Sequence, residues 1–227
     1  MNLPQDKAGY ALVVFDWDGT LMDSTPSIVA AIQGACRDLG LRVPPDEAAS
    51  WVIGLGLQDA LLRTAPDLPP EQLPRFLDRY RFHYLTRDPQ LRLFEGVEAL
   101  LVRLRDAGVR LAVATGKSRV GLERAFDSTG LRRYFDASRC ADESFSKPHP
   151  AMLNELLEEL EVAPAAAVMV GDTSHDLDMA RNAGVHGVGV TYGAHRIDEL
   201  SACSPQALVG SVAELGQWLG PRVGLAS

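Results

Sequence analysis

The sequence is poor in cysteine and has no long apolar run. Its three cysteines, Cys36, Cys140 and Cys203, are widely spaced and fit neither a disulfide framework nor a zinc pattern. We expect free thiols in a reducing compartment. The first ten residues lack a basic stretch followed by an apolar one, so we predict no signal peptide, and no apolar run reaches membrane-spanning length. The sequence therefore predicts a soluble, cytoplasmic protein without a membrane partner.

Lysine is also scarce. The chain has three lysines, Lys7, Lys117 and Lys147, and a formal net charge of -8. This balance argues against a general nucleic-acid-binding surface. An acidic protein that handles anions must concentrate positive charge locally, either with a metal ion or with a few well-placed lysines. The sequence does not indicate an oligomeric state.

Residues 11–24 read ALVVFDWDGTLMDS and begin with an apolar run. This run is typical of a central strand in a parallel sheet covered on both faces. Asp16 and Asp18 follow this run, one residue apart, before Gly19 and Thr20 break the strand. A buried carboxylate is costly unless it is paired, hydrogen-bonded or bound to a metal. Because ligands of open α/β sheets bind at the carboxyl ends of strands, the pair marks a candidate site.

The chain after residue 92 alternates apolar runs with helical patterns. Alternation of this kind predicts a Rossmann-like, doubly wound parallel sheet, an α/β fold. The predicted strands of this part cover residues 110–116, 135–140, 166–172 and 186–193.

The segment from residue 22 to residue 91 is different. It contains helical stripes, such as the one that ends at Gly40, with prolines between them, and no convincing strand. We predict a small helical domain over residues 22–91, inserted into an α/β core formed by residues 1–21 and 92–227.

Four carboxylates follow strands of the predicted core, and their positions suggest a metal site. Asp16 and Asp18 follow the first strand, while Asp172 and Asp176 follow the strand that ends at Gly171. If these strands are neighbours, the four carboxylates converge and repel one another unless a cation binds. Oxygen ligands at an open site suit Mg²⁺, which keeps other positions for water and phosphate oxygens.

Two further positions complete the predicted site. Another strand ends in Thr115-Gly116, and Lys147 stands just before Pro148 in a loop after the next strand. Lys147 could bring a fixed positive charge to the same edge of the sheet.

These residues together resemble the four ordered motifs of the haloacid dehalogenase superfamily. The resemblance spans about residues 11–192, and the helical insertion resembles that family's type-one cap. The phosphoglycolate phosphatase-like branch is the most similar in FDWDGTLMDS, GVEALLVRLRDAG and GDTSHDLDMARNAGV. The motifs that carry the resemblance are Asp16-Trp-Asp18-Gly-Thr20, Thr115, Lys147 and Gly171-Asp172-Thr-Ser-His-Asp176.

The resemblance implies a Mg²⁺-dependent phosphatase acting on a small phosphorylated metabolite, with phosphoglycolate as the leading candidate. Asp16 is implied as the nucleophile that forms an aspartyl-phosphate, and Asp18 as the acid and then the base. The implied Mg²⁺ ligands are Asp16, the main-chain carbonyl of Asp18 and Asp172, with Asp176 as a further or water-mediated ligand. The implied phosphate-binding residues are Thr115, the amides of Gly116 and Lys117, and Lys147.

The residues argue against some other chemistries of the same superfamily and leave others open. Cleavage of carbon-halogen bonds has no need of Asp18, and a phosphonate-cleaving Schiff base needs a lysine that residues 22–91 lack. A phosphosugar mutase shares both aspartates and the cap type, so it remains an alternative. A non-catalytic phosphate-binding protein is a second alternative, although binding alone has no need of Asp18.

Several other residues have more ordinary interpretations. We expect the ammonium group of Lys117 and the rings of His149 and His175 to be solvated. Asp176 could simply cap the helix that follows it. Gly54-Leu-Gly56 could be a substrate-specificity loop or a helix-breaking turn.

Overall fold

A computed structural model describes residues 9–87 and 91–224, so the prediction about a signal peptide falls mostly on residues outside this part. The strands of the described part form one all-parallel sheet in the order β3-β2-β1-β4-β5-β6. The strands are β1 (Leu12–Phe15), β2 (Arg110–Thr115), β3 (Ala137–Cys140), β4 (Ala167–Gly171), β5 (His186–Val190) and β6 (Ala207–Val209). The predicted α/β fold is confirmed, with β1 at the centre of the sheet.

Helices connect successive strands of the core, as a parallel sheet requires. Gly108 and Gly130 adopt left-handed conformations (φ 77° and 69°) and end the helices that precede them. The core helices are α5 (Val97–Asp106), α6 (Arg119–Thr129), α7 (Ala151–Glu159), α8 (Ser174–Asn182), α9 (Ile197–Ala202) and α10 (Val212–Leu219).

The apolar composition of β1 follows from its position between two apolar layers. Val13 and Phe15 pack into the cluster on one face of the sheet, and Leu12 and Val14 pack into the cluster on the other. Successive strand residues point to opposite faces, so a strand covered on both sides must be apolar throughout. Each of these buried side chains stabilises the fold by about 1.5–3 kcal/mol relative to an exposed one.

In the described part of the chain, four α-helices are inserted between β1 and the rest of the core. They share a separate hydrophobic cluster that includes Ile32, Leu61 and Phe76. This arrangement is the helical cap expected from the sequence, while its boundaries at residues 22 and 91 stay a prediction. The inserted helices are α1 (Thr25–Asp38), α2 (Asp46–Trp51), α3 (Leu57–Thr64) and α4 (Leu73–Arg87).

Two short elements, β6 and α9, are absent from the expectations above. They contain three and six residues, too few for a periodic pattern to stand out. Among the helices in residues 9–87 and 91–224, none is long and apolar enough to cross a membrane.

Candidate active site

The ends of three neighbouring strands bring the predicted site residues together. β1 lies between β2 and β4, so Asp16, Thr115 and Asp172 end or follow adjacent strands. The amide of Asp16 donates a hydrogen bond to the carbonyl of Val170 at 2.9 Å, which extends the pairing of β1 with β4 up to the site. The convergence expected at this edge of the sheet is therefore present.

Lys147 lies inside this group with its side chain fully buried. Its Nζ is 2.6 Å from Asp16 Oδ1 and 2.6 Å from Asp176 Oδ1. Burial acts to lower the pKa of Lys147, but the two carboxylates outweigh it and raise the pKa above the ordinary value. Lys147 therefore carries a fixed positive charge between two carboxylates.

The carboxylates of the site outnumber this one charge. Oxygens of Asp16, Asp172 and Asp176 lie within 4.8 Å of one another, and all three residues are buried. Burial raises the pKa of Asp16 to about 7 against the lowering effect of Lys147. Burial and the neighbouring carboxylates raise the pKa of Asp172 as well. A divalent cation would supply the positive charge that keeps these carboxylates ionised, and their oxygens are the donors that a hard cation prefers.

The carboxylate of Asp172 is fixed by hydrogen bonds on both oxygens. Thr20 Oγ1 donates to Oδ1 at 2.9 Å, and the amide of Ala194 donates to Oδ2 at 2.7 Å. Gly19 and Gly193 leave the room that this carboxylate occupies, since a Cβ atom on either would collide with it. The local sequence therefore orients Asp172 toward the cluster.

Asp176 has two roles in the structure. Its Oδ2 accepts hydrogen bonds from the amide and the hydroxyl of Thr173, at 3.1 and 2.6 Å, and closes a capping box at the start of α8. Its other oxygen contacts Lys147. The capping interpretation and the site interpretation of Asp176 are therefore compatible.

The carboxylate of Asp18 lies apart from the acidic cluster. Ser24 Oγ donates to its Oδ1 at 2.7 Å, and Lys117 Nζ lies 3.0 Å from its Oδ2. Among the described residues, the carboxylates close enough together to share a metal ion are those of Asp16, Asp172 and Asp176. The metal contact implied for Asp18 runs through its main-chain carbonyl and stays a prediction.

The expectation that Lys117 has a solvated ammonium is wrong. The side chain is 10% exposed, and its Nζ donates to Tyr84 OH at 3.0 Å in addition to the Asp18 contact. Burial acts to lower the pKa of Lys117, but Asp18 and Tyr84 raise it. The physical reason is the cap: α4 covers the amino end of α6, which the core sequence by itself does not reveal.

Residues 50–56, which are the end of α2 and the loop that follows it and are here called the cap loop, attach the cap to the core. Ser50 Oγ donates to the carbonyl of Ala194 at 2.9 Å, and the amide of Gly56 donates to Ser146 Oγ at 2.8 Å. Between them, Gly54 is in a left-handed conformation (φ 91°) beside Thr173. Gly54-Leu-Gly56 therefore borders the site as well as turning the chain.

Two histidine rings hold the cap loop at one carbonyl. The Nε2 atoms of His175 and His195 each donate to the carbonyl of Trp51, at 2.9 Å in both cases. The expectation that His175 is solvated is wrong, because the cap loop buries it, and that burial lowers its pKa. His195 was not expected at the site, since no motif marks it. His149 is exposed, as the sequence predicts.

Thr115 and Gly116 form the floor beneath the cap loop. Thr115 is buried, and its Oγ1 accepts a hydrogen bond from the amide of Lys117 at 3.2 Å. Gly116 lies so close to the cap loop that an added Cβ atom would be 2.6 Å from the carbonyl oxygen of Gly54 and would also collide with that of Leu55. Only glycine fits beneath the loop as it stands.

We therefore expect Gly116→Ala to impair cap closure. The methyl group displaces two backbone carbonyls, and a displacement near 1 Å at an active site lowers kcat/KM on the order of 10²-fold. Steady-state kinetics checks this result. Gly210→Ala is the control, because its added Cβ would meet no atom nearer than 3.5 Å. Equal kinetics for the two variants would contradict a closed cap loop.

Comparison with known proteins agrees with this geometry. The family model described as haloacid dehalogenase-like hydrolase matches residues 13–190. The probable phosphatase IndB of Dickeya dadantii is 38% identical over 90% of this chain and 91% of its own. Phosphoglycolate phosphatase of Vibrio parahaemolyticus is 30% identical over 90% and 93%.

Two further similarities concern the breadth of the fold. The tyrosine-protein kinase PtkA of Mycobacterium tuberculosis is 33% identical over 92% of this chain and 72% of its own. The crystal structure of a predicted phosphatase from Clostridium acetobutylicum superposes with a TM-score of 0.81 at 28% identity, covering 92% of this chain and 98% of the other. Similar chains thus carry more than one named activity, and the site must decide between them.

Proposed function

Since this chain belongs to the haloacid dehalogenase-like hydrolase family, we propose that it is a Mg²⁺-dependent phosphatase that hydrolyses a small phosphomonoester through an aspartyl-phosphate. It is a phosphatase of the phosphoglycolate phosphatase-like branch. The metal, the intermediate and the residue roles are the proposal. The location in the cytoplasm stays a prediction.

The observation that carries the proposal is the state of the Asp16 carboxylate. Its Oδ1 is bound to Lys147, while its Oδ2 is buried and has no hydrogen-bond partner among the described residues. An unpartnered carboxylate oxygen beside a fixed ammonium suits a nucleophile that attacks an anion. We assign the Asp16 carboxylate the attack on phosphorus, and Lys147 the balancing of charge on the phosphoryl oxygens.

Asp18 is assigned the proton transfers. It gives a proton to the ester oxygen as the bond to phosphorus breaks, and then takes one from the water that attacks the aspartyl-phosphate, which releases phosphate and restores Asp16. Its bonds to Ser24 and Lys117 hold the carboxylate in place without joining it to the acidic cluster. The separate position lets Asp16 and Asp18 take different roles.

The residues present fit a magnesium ion. Asp16 and Asp172, with Asp176 behind them, offer buried oxygen donors and more negative charge than Lys147 balances. When bound, Mg²⁺ supplies charge stabilisation to the phosphoryl group. Thr115 and the amides of Gly116 and Lys117 are assigned to phosphate oxygens.

Phosphate release from a panel of small esters tests this function. We expect release that requires Mg²⁺ and stops with a chelator. The panel contains phosphoglycolate, sugar phosphates, nucleoside monophosphates and pyrophosphate. An isomer formed from a sugar bisphosphate with little free phosphate would instead identify a mutase. A silent panel together with tight phosphate binding would identify a binding protein.

A further inference from the structure

A cavity of about 460 Å³ opens between the cap and the core, beside the site. Its floor carries Asp16, Asp18 and Lys117. The rest of the lining includes Arg81, Arg124 and Asp142 and a set of apolar or aromatic side chains, here called the apolar wall, namely Ile53, Leu57, Tyr80, Tyr84, Leu85 and Val120. A phosphate group reaches the floor, so the leaving group must lie against this apolar wall.

The mouth of the cavity leaves large apolar side chains in contact with water. Val120 on α6 is 70% exposed, and Leu85 on α4 is 42% exposed, although both line the cavity. Removing apolar surface from water lowers the free energy of the system. A leaving group with an apolar part would cover these two side chains, whereas a small charged group would leave them exposed.

Two stacked tyrosines add a flat surface to the wall. The rings of Tyr80 and Tyr84 lie 5.9 Å apart at an interplanar angle of 19°. Their positions on α4 differ by four residues, which brings them to one face of the helix. Aromatic rings pack favourably against another ring in offset-stacked or edge-to-face contacts. The wall therefore offers aromatic surface to a planar group, next to the Lys117 ammonium that lies 5.0 Å from the centroid of the Tyr84 ring.

The charges around the cavity are balanced. Asp16, Asp18 and Asp142 oppose three cations in its lining, Lys117, Arg81 and Arg124. Lys117 contacts Asp18 and Tyr84.

The Arg81 side chain is 59% exposed, and its Nη1 lies 3.6 Å from Asp78 Oδ1. A carboxylate on the leaving group, as in phosphoglycolate, would meet equal numbers of acidic and basic side chains among the described residues that line the cavity. An uncharged leaving group has no such requirement.

From these observations we infer that the leaving group of the substrate is uncharged and carries a planar apolar ring, and so is larger than glycolate. The inference rests on the proposed phosphatase function and narrows its substrate class. Aryl-alkyl phosphates have this chemistry, whereas nucleoside monophosphates share only the planar ring and the uncharged leaving group, so the two are separate arms of the test.

The first measurement compares kcat/KM for benzyl phosphate with kcat/KM for phosphoglycolate in the presence of Mg²⁺. We expect benzyl phosphate to be preferred by about tenfold or more, as apolar pockets commonly discriminate. Cyclohexylmethyl phosphate tests whether planarity matters, and uridine and adenosine monophosphates test whether the ring belongs to a nucleoside. A preference for phosphoglycolate, with phosphate still released, would overturn the inference and leave the phosphatase function intact.

The second measurement repeats the comparison with a charge placed on the apolar wall. Leu85→Lys adds a cation near the carboxyl end of α4, where a cation is tolerated. We expect the preference for benzyl phosphate to fall by about tenfold. Phe82→Lys is the matched control, since Phe82 lies on the same helix, is 55% exposed and is not among the residues that line the cavity. If Leu85→Lys leaves the preference for benzyl phosphate unchanged, the apolar wall does not select the substrate.

A binding measurement separates the two ways of failing. Titration calorimetry compares the Kd of benzylphosphonate with the Kd of phosphonoacetate, both non-hydrolysable, with Mg²⁺ present. If no ester is hydrolysed but benzylphosphonate binds about tenfold more tightly, the phosphatase function fails and the assignment of the cavity stands. If phosphonoacetate binds more tightly, the inference fails whatever the activity.

Discussion

Asp16→Asn removes turnover, with an expected loss of at least about 10⁴-fold in kcat. The amide oxygen of asparagine is a poor nucleophile, and the other carboxylate in contact with Lys147 among the described residues is that of Asp176, whose second oxygen is held in a capping box. Phosphate release under saturating substrate and Mg²⁺ measures the loss. Rapid quenching followed by intact-mass analysis is expected to show a phosphorylated chain in the parent and none in the variant.

The fold should survive this substitution. The change removes one carboxylate from a crowded cluster, and Lys147 retains its contact with Asp176. We therefore expect a Tm equal to or above that of the parent. Asp198→Asn, on the exposed start of α9, is the matched control and should keep full activity. Near-normal turnover of Asp16→Asn with a parental Tm would refute the aspartyl-phosphate.

Lys147→Met is expected to cause the second large effect, on stability as well as on activity. Methionine is similar to lysine in length but carries no charge, so three carboxylates remain buried without a cation. Breaking a buried ion pair by removing one partner destabilises a fold by about 3–5 kcal/mol. Urea unfolding in the presence of a chelator measures this loss as a lower midpoint at an unchanged slope.

Magnesium should offset part of the loss, because it brings positive charge to the same carboxylates. The midpoint of Lys147→Met should therefore rise more with Mg²⁺ than the midpoint of the parent does. Lys117→Met is the comparison, since it leaves the single carboxylate of Asp18, which also accepts a bond from Ser24. If Lys147→Met unfolds at the parental midpoint in chelator, Lys147 is not the charge that the cluster depends on.

The sequence predicts the core of this site well, because strand ends are local signals. Asp16 and Asp172 each follow a run of apolar residues, and Thr115 ends another. A parallel sheet brings such ends together by its geometry alone. The acidic cluster and its lysine could therefore be predicted without knowledge of the packing.

The contacts made by the cap could not be predicted in this way. Lys117 is buried because α4 covers it, and His175 is buried because the cap loop covers it. Both contacts join residues that are far apart in the sequence, so no local pattern reveals them. His195 reaches the site from a loop after β5, where nothing in its neighbours marks it. For the cavity wall, the sequence offers one signal, the spacing of Tyr80 and Tyr84, which are four residues apart and so lie on one face of a helix.

The cap loop is attached to the core largely by its main chain. Trp51 contributes a carbonyl to two histidines, and Gly56 contributes an amide to Ser146. A carbonyl and an amide are present whichever side chains occupy those positions. Substitutions on the cavity wall can therefore change which substrate is accepted without altering the main-chain contacts that hold the cap loop. New specificities can evolve on this cap while its attachment to the core stays the same.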